Sequence, residues 1–276
     1  MSTQMQTCYR HGDRKAGVIC QRCDRPICPA CMHQASVGFH CPECARSGAQ
    51  KVVKANQLRT RPIVTQVLIA LNVVIFLAGI GSGLQTRDSV VLDYGLISQT
   101  PFGVPFGVGA GEWYRLVTSG FLHINVIHIA FNMLALYYLG NLLEPAFGRV
   151  RFLAVYFVSM LVGSLGVVLV TPDRLTVGAS GAVFGLMGFA FMALRSRGID
   201  PFSTGLGGTI ILNLIITFTL SSYISVGGHI GGLIGGTLCG YLLTDLGPKH
   251  LRDERAILGS VIGLGVVAFT LAIALA

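Results

Sequence analysis

Ser180, His229, His128 and Asn132 are polar residues set in runs of otherwise apolar sequence. Placing a hydroxyl, an imidazole or an amide in such a run is costly, so each is a candidate functional group. Together they could perform acyl transfer, which needs a nucleophile, a base and charge stabilisation. Ser180 offers the hydroxyl, and His229 can take its proton and return it to a leaving amine. The backbone N–H of Ser180, the His128 ring and the Asn132 amide could hold an oxyanion. No Asp or Glu falls in the same layer, since Glu144 belongs to the far end of its apolar run. The expected unit is therefore a Ser–His dyad, with packing in place of an acid to orient the His.

Taken singly, each residue also has a structural reading. His123, His128 and Asn132 in the run HINVIHIAFN could be hydrogen-bonding glue between helices. A lone Ser in a membrane helix often bonds back to its own turn. Ser180 differs in its neighbours, Gly178-Ala179-Ser180-Gly181, and in the small face continued by Gly181, Gly185 and Gly188. It also falls in the first turns of its helix, where free N–H groups and the helix dipole favour negative charge. Position 182 is Ala, so the G-x-S-x-G turn of soluble hydrolases is missing. His229 opens a run in which Gly228, Gly232, Gly236 and Gly240 recur every four residues, a stripe that admits close helix packing.

The elements that position these groups are seven apolar stretches, about 62–82, 120–143, 151–171, 177–195, 206–222, 227–244 and 256–275. Several approach the ~20 residues that span a bilayer. The chain is 52% hydrophobic and 12% charged, with 36 glycines, against roughly 25% charged in soluble domains. The expected fold is an all-α polytopic membrane bundle of six core helices and a seventh C-terminal helix. A semi-polar segment, 84–119, is read as a loop partly embedded in the membrane, with Phe102, Phe106, Trp113 and Tyr114 at the interface.

The net charge of +8 is unevenly spread, with ten of the twenty Lys and Arg in residues 1–61. If that segment is cytoplasmic, alternation through seven helices puts seventeen of the twenty inside and only Arg87, Arg115 and Arg174 outside. This pattern fits membrane orientation rather than a nucleic-acid groove. It also brings Ser180, His229 and His128 to one layer near the outer end, because the second, fourth and sixth helices all start there. Residues 1–61 hold no apolar signal-like run, so no cleavable signal peptide is expected.

Residues 8–44 read C-x2-H-x8-C-x2-C-x4-C-x2-C-x9-C-x2-C, with Cys8, His11, Cys20, Cys23, Cys28, Cys31, Cys41 and Cys44 as candidate ligands. Eight ligands suit two tetrahedral structural zinc ions, which would stabilise a segment too short for a core of its own. A disulfide cluster is disfavoured by seven cysteines on a reducing side. The spacing resembles a B-box-type zinc finger. That likeness implies interleaved sites, Cys8, His11, Cys28 and Cys31 for one ion and Cys20, Cys23, Cys41 and Cys44 for the other. Consecutive pairing stays open, as does competition between His40 and Cys41.

The whole set resembles the rhomboid intramembrane serine proteases. The resemblance rests on HxxxxHxxxN at His123–Asn132, GxSG at Gly178–Gly181, His229 followed by Gly232 and Gly236, Glu112-Trp113-Tyr114-Arg115, and Glu144 with Gly148. It covers about residues 62–245. It implies Ser180 as nucleophile, His229 as base, and His128, Asn132 and the Ser180 amide as oxyanion hole. Many members carry Tyr four residues after the serine, where this chain has Phe184. The implied substrates are single-pass membrane proteins with helix-breaking residues near the outer face. The lack of a targeting segment and the adjoining zinc segment point to the lipid bilayer of a bacterial plasma membrane as the expected location. No catalytic cofactor and no nucleic acid are expected.

The expected division is a zinc-binding domain at 1–48, a basic linker at 49–61, the core at 62–245, and a loop with the seventh helix at 246–276. The zinc segment could recruit a cytosolic partner. The alternative reading is a silent scaffold that binds membrane clients. A transporter fits less well, since the polar layer lies toward one face and no internal repeat is visible.

Overall fold

The computed structural model describes residues 6–47, 61–81, 84–251 and 253–276. The expected linker 49–61 lies outside the described residues except for Arg61, as does the side chain of Arg87. The chain divides into two compact units, Met1–Arg59 and Thr60–Ala276.

In the first unit β1 (Val18–Ile19) pairs antiparallel with β2 (Pro26–Ile27), and β3 (His33–Gln34) with β4 (Phe39–His40). A short helix, α1 (Pro42–Ser47), follows. Hairpins this small do not stand alone in water. Their shared core consists of five cysteines (Cys8, Cys20, Cys28, Cys31 and Cys41) around Ile27.

The second unit is helical. Its elements are α2 (Ile63–Gly81), α3 (Leu84–Tyr94), α4 (Arg115–Thr118), α5 (Val126–Phe147), α6 (Arg149–Val170), α7 (Ser180–Arg195), α8 (Leu206–Thr219), α9 (Val226–Tyr241), α10 (Gly247–His250) and α11 (Glu254–Ala274). A π-helical turn, Leu242–Leu246, extends α9. Among the described residues four helices are long and apolar enough to cross a membrane, namely α5, α6, α9 with its extension, and α11. The shorter apolar helices are α2, α7 and α8. Large apolar side chains such as Val74, Phe131, Tyr138, Ile215 and Val266 are exposed. Asn72, Ser159, Asn132 and Glu144 are buried. This inversion suits a hydrocarbon solvent, and the protein is a multi-pass membrane bundle.

Two differences from the sequence reading concern the segment before α5. The segment 84–119 is not all loop, for it contains α3 and α4. Leu84–Tyr94 carries Gln, Thr, Arg and Asp in succession, so no apolar stripe marks it. The second apolar run also does not start its helix at 120. A 3-10 turn at Ser119–Phe121 comes first, and Asn125 then caps α5 by accepting from the His128 N–H at 2.8 Å. His123 therefore precedes the helix rather than sitting on it.

The segment before α5 is held by Arg115, only 3% exposed, which donates to the carbonyls of Leu92 and Gly95 and pairs with Glu112. Trp113 meets Phe269 of α11 edge-on, and the Ser98 hydroxyl donates to the Ala276 carbonyl at 3.1 Å. The C-terminal end of α11 thus packs on this loop. At the other end of α5, the buried Glu144 carboxylate accepts from the backbone N–H groups of Val64 and Thr65 and from the Thr65 hydroxyl, at 2.9, 2.7 and 2.7 Å. It caps α2, placing negative charge at a helix N-terminus where free N–H groups need acceptors.

Glycine decides how the centre packs. α9 lies between α6 and α7 and presents a different glycine row to each. Gly232 and Gly236 approach the backbone carbonyls of Gly181 and Gly185 on α7. Gly227 and Gly231 approach those of Gly166 and Val162 on α6. A Cβ at any of these four would overlap or press on a carbonyl of the facing helix. Gly236→Val is therefore expected to lower stability by about 3 kcal/mol or more, since a packed interior has no room for added carbons. Gly259→Val, at a position with open space, should unfold near the wild-type temperature in detergent. Equal melting temperatures for all three proteins would contradict this packing account.

Candidate active site and metal clusters

Helices α5, α7 and α9 run in the same sense, because α6 and α8 return the chain between them. Their N-terminal ends therefore share one end of the bundle. Ser180 is the first residue of α7, His229 lies in the first turn of α9, and His128 in the first turn of α5.

Gly178 joins two of these groups. Its φ of +125° is one that side-chain-bearing residues rarely adopt. A Cβ there would lie 2.7 Å from His128 Cε1 and Nε2 and 3.8 Å from Ser180 Oγ. The glycine thus leaves the space between the His128 ring and the Ser180 hydroxyl open. Its N–H donates to the Ser119 carbonyl at 2.9 Å, which fixes this turn to the segment before α5. Among the described residues the Ser180 hydroxyl, half-buried, has no hydrogen-bond partner.

The helices that carry Ser180 and His229, α7 and α9, touch backbone to backbone at Gly181 and Gly232. Phe184, one turn below Ser180, stacks on the His229 ring with centroids 4.0 Å apart and planes at 21°. Phe184 thus makes this stack without a tyrosine hydroxyl. The other anchor of His229 lies on α8, where Thr217 Oγ1 stands 2.7 Å from His229 Nδ1. The sequence reading had not singled out Thr217.

Asn132 donates to the His128 carbonyl at 2.9 Å, the i to i−4 bond of a polar residue on a helix. His128 and His123 meet edge-to-face at 5.0 Å. The ring nitrogens of His123 and Nδ1 of His128 are buried.

In the first unit two groups of four ligand atoms converge, each within 4.8 Å of one another: Cys8, His11, Cys28 and Cys31, and Cys20, Cys23, Cys41 and Cys44. The pairs interleave, and His40 belongs to neither group. All eight cysteines of the chain are free thiols. His11 Nδ1 lies 3.9 Å from Cys8 Sγ and 3.4 Å from the sulfurs of Cys28 and Cys31. Cys23 and Cys41 sulfurs are 3.8 Å apart. Tetrahedral zinc with its usual bond lengths would place sulfur pairs about 3.8 Å apart and sulfur–nitrogen pairs about 3.5 Å apart.

The thiols also differ in acidity. Burial raises Cys8 and Cys20, but backbone N–H donors outweigh it and bring both to about 6. Burial, then the Cys8 and Cys28 thiols, push Cys31 up to about 11. Hydrogen bonds with Cys23 and Cys41, then burial, push Cys44 up to about 12. Thiolates this close repel one another, so the sulfurs of one group do not all ionise unless a cation is present.

A serine, two histidines and an amide thus lie toward the N-terminal ends of three parallel helices, in a bundle that exposes large apolar side chains. The model of the rhomboid domain matches residues 110–246. The chain is 34% identical over 201 residues to the putative rhomboid protease YdcA of Bacillus subtilis (strain 168), covering 72% of this chain and 94% of that protein. It is 35% identical over 173 residues to the rhomboid protease GluP of the same organism, covering 62% of this chain and 32% of that one. Rhomboid-like protease 1 of Toxoplasma gondii matches at 33% over 151 residues, 52% of this chain and 50% of that protein. The matched region thus spans nearly all of one relative but half or less of the other two. The chain belongs to the rhomboid family, and with it to the intramembrane serine proteases.

Proposed function

We propose that this protein hydrolyses a peptide bond in the membrane segment of single-pass proteins, near the outer face, by a Ser180–His229 dyad. The observations that support the reading are that Gly178 keeps the space between His128 and Ser180 clear and that Phe184, one turn from Ser180, stacks on His229. Ser180 Oγ attacks the scissile carbonyl carbon while the His229 ring takes the hydroxyl proton. The carbonyl oxygen becomes an oxyanion, met by the Ser180 N–H, the His128 ring and the second N–H of the Asn132 amide. The C–N bond then breaks, and His229 returns the proton to the departing amine. Water attacks the resulting ester with His229 again as base, releasing the acid and restoring Ser180. The helix dipole of α7 favours negative charge beside its first residue.

A helical peptide bond is shielded by its own hydrogen bonds, so the substrate segment must unwind locally before attack. Helix-breaking residues near one end of the segment ease that step. The charge bias supports a cytoplasmic N-terminus and a C-terminus on the outer side, and the lack of a targeting run beside the cysteine-rich unit supports a bacterial plasma membrane. The close packing of Ala276 against the loop beside the site is consistent with an outer C-terminus. The cysteine-rich unit binds two structural zinc ions, supported by the two four-ligand groups, and offers a cytosolic partner a small folded surface. No cofactor enters the reaction.

An active-site-directed fluorophosphonate tests the nucleophile. Folded protein in liposomes should be labelled, and mass spectrometry of its peptides should place the adduct on Ser180. A labelled single-pass segment should be cut, with product masses locating the bond toward one end of the segment. Labelling at another residue, or no cleavage across a varied panel of segments, would sink the assignment.

A further inference from the structure

The imidazole of a dyad has no carboxylate to select its tautomer, yet only one tautomer can act as base toward Ser180. Thr217 Oγ1 makes two contacts of 2.7 Å, one with the Asn213 carbonyl on its own helix and one with His229 Nδ1. Thr217 is 1% exposed and His229 9%, so water does not compete for either bond. A hydroxyl has one proton and two lone pairs, whereas a carbonyl oxygen can only accept. The arrangement that satisfies both contacts has Thr217 donating to Asn213 and accepting from His229 Nδ1–H. The reverse would set two acceptor oxygens 2.7 Å apart with no proton between them.

From this geometry we infer that Thr217 is the positioning residue of the base, holding the proton of His229 on Nδ1 and leaving Nε2 bare to take the Ser180 proton. The inference rests on the dyad proposed above. It gives Thr217 the orienting part of an acid without a buried negative charge, which would be expensive in lipid. Phe184 fixes the plane of the ring through its 4.0 Å stack, and Thr217 fixes the rotation within that plane. When the ring takes the proton, Nδ1–H becomes part of an imidazolium, and hydrogen bonds from charged donors are stronger. The Thr217 bond therefore tightens as the reaction proceeds, which lowers the barrier rather than only binding the ground state. The base sits on α9 and its anchor on α8, so the two helices must keep their relative position for the dyad to work.

The test is made on the full-length protein in liposomes. Thr217→Val keeps the branched shape and removes the hydroxyl, while Thr217→Ser keeps the hydroxyl. Val should lower kcat about ten- to hundredfold with KM unchanged, a share of what general-base catalysis contributes, and Ser should restore most of it. Nitrogen-15 NMR of histidine-labelled protein, with the His229 signals assigned by their loss in His229→Gln, reads the tautomer directly. Wild type should show Nδ1 protonated and Nε2 bare, and Val should lose that preference. A wild-type ring protonated on Nε2 overturns the inference, and this measurement decides even if Val fails to fold. So does a folded Val variant with wild-type kcat. If wild type cleaves nothing, the protease reading falls and the role of Thr217 falls with it. If wild type cleaves and Val is indifferent, only the Thr217 inference falls.

Discussion

Ser180→Ala and His229→Ala should each cut a labelled single-pass segment at least about 10⁴-fold more slowly than wild type, and the double variant no more slowly than the worse single one. The hydroxyl and the imidazole act on one proton in one step, so removing either ends covalent catalysis, and removing the second has nothing left to take. Neither substitution should upset the fold. Ser180 makes no side-chain hydrogen bond among the described residues, and Ala is a good residue for the start of a helix. His229→Ala removes the ring from Phe184 and leaves Thr217 with its bond to Asn213. The measurement is initial cleavage rate in liposomes, with thermal unfolding as the control for fold. A double variant slowed by the product of the two single effects would mean that the residues act independently, which a dyad does not allow. A folded single variant retaining a tenth of the wild-type rate would remove that residue from the chemistry.

Metal removal should produce the second large effect, confined to the first unit. Two zinc ions per chain are expected in purified protein by elemental analysis. Strong chelation should abolish protection of residues 8–44 from protease while the helical bundle keeps its melting behaviour. The physical ground is the core itself, which is mostly sulfur and, among the described residues, holds only Ile27 as a fully buried large aliphatic side chain. Without a cation the close thiols hold protons unequally, with Cys31 and Cys44 raised and Cys8 and Cys20 lowered. Zinc displaces those protons and binds the thiolates, so acidification should release it. Cys28→Ser should reduce the stoichiometry to about one, because Cys28 belongs to a single four-ligand group. Retention of two ions in that variant, or a chelated protein with residues 8–44 still resistant to protease, would count against the assignment.

Much of the candidate site was legible because its signals are local. A polar residue inside an apolar run declares itself by cost alone, and glycines beside Ser180 and His229 announce close packing. The candidate ligands in the cysteine-rich unit were legible from spacing. Helix α3 was not, because Leu84–Tyr94 has no apolar stripe and is held instead by contacts around Arg115, which reaches the Leu92 and Gly95 carbonyls. Glu144 was visible as a match to the family but not as the cap of α2, because its partners Val64 and Thr65 lie about 80 residues away in the chain. Thr217 was hidden for a different reason. Thr209, Thr237, Thr244 and Thr270 all bond back to their own helices, as membrane threonines do, and so does Thr217. Nothing in residue type or spacing distinguishes the one whose remaining lone pair faces an imidazole.

The sequence by itself determined that the chain is a membrane bundle with a cysteine-rich head, and which polar groups lie at the helix ends. These are properties of composition and short-range period, written in neighbouring residues. Only the tertiary structure decided that α9 turns one glycine row to α6 and another to α7, that the ligand pairs of the head interleave, and that Thr217 meets His229. Each of these depends on two segments distant in sequence approaching within a few ångströms. The approach is set by how backbones pack where side chains are absent, which no single segment records.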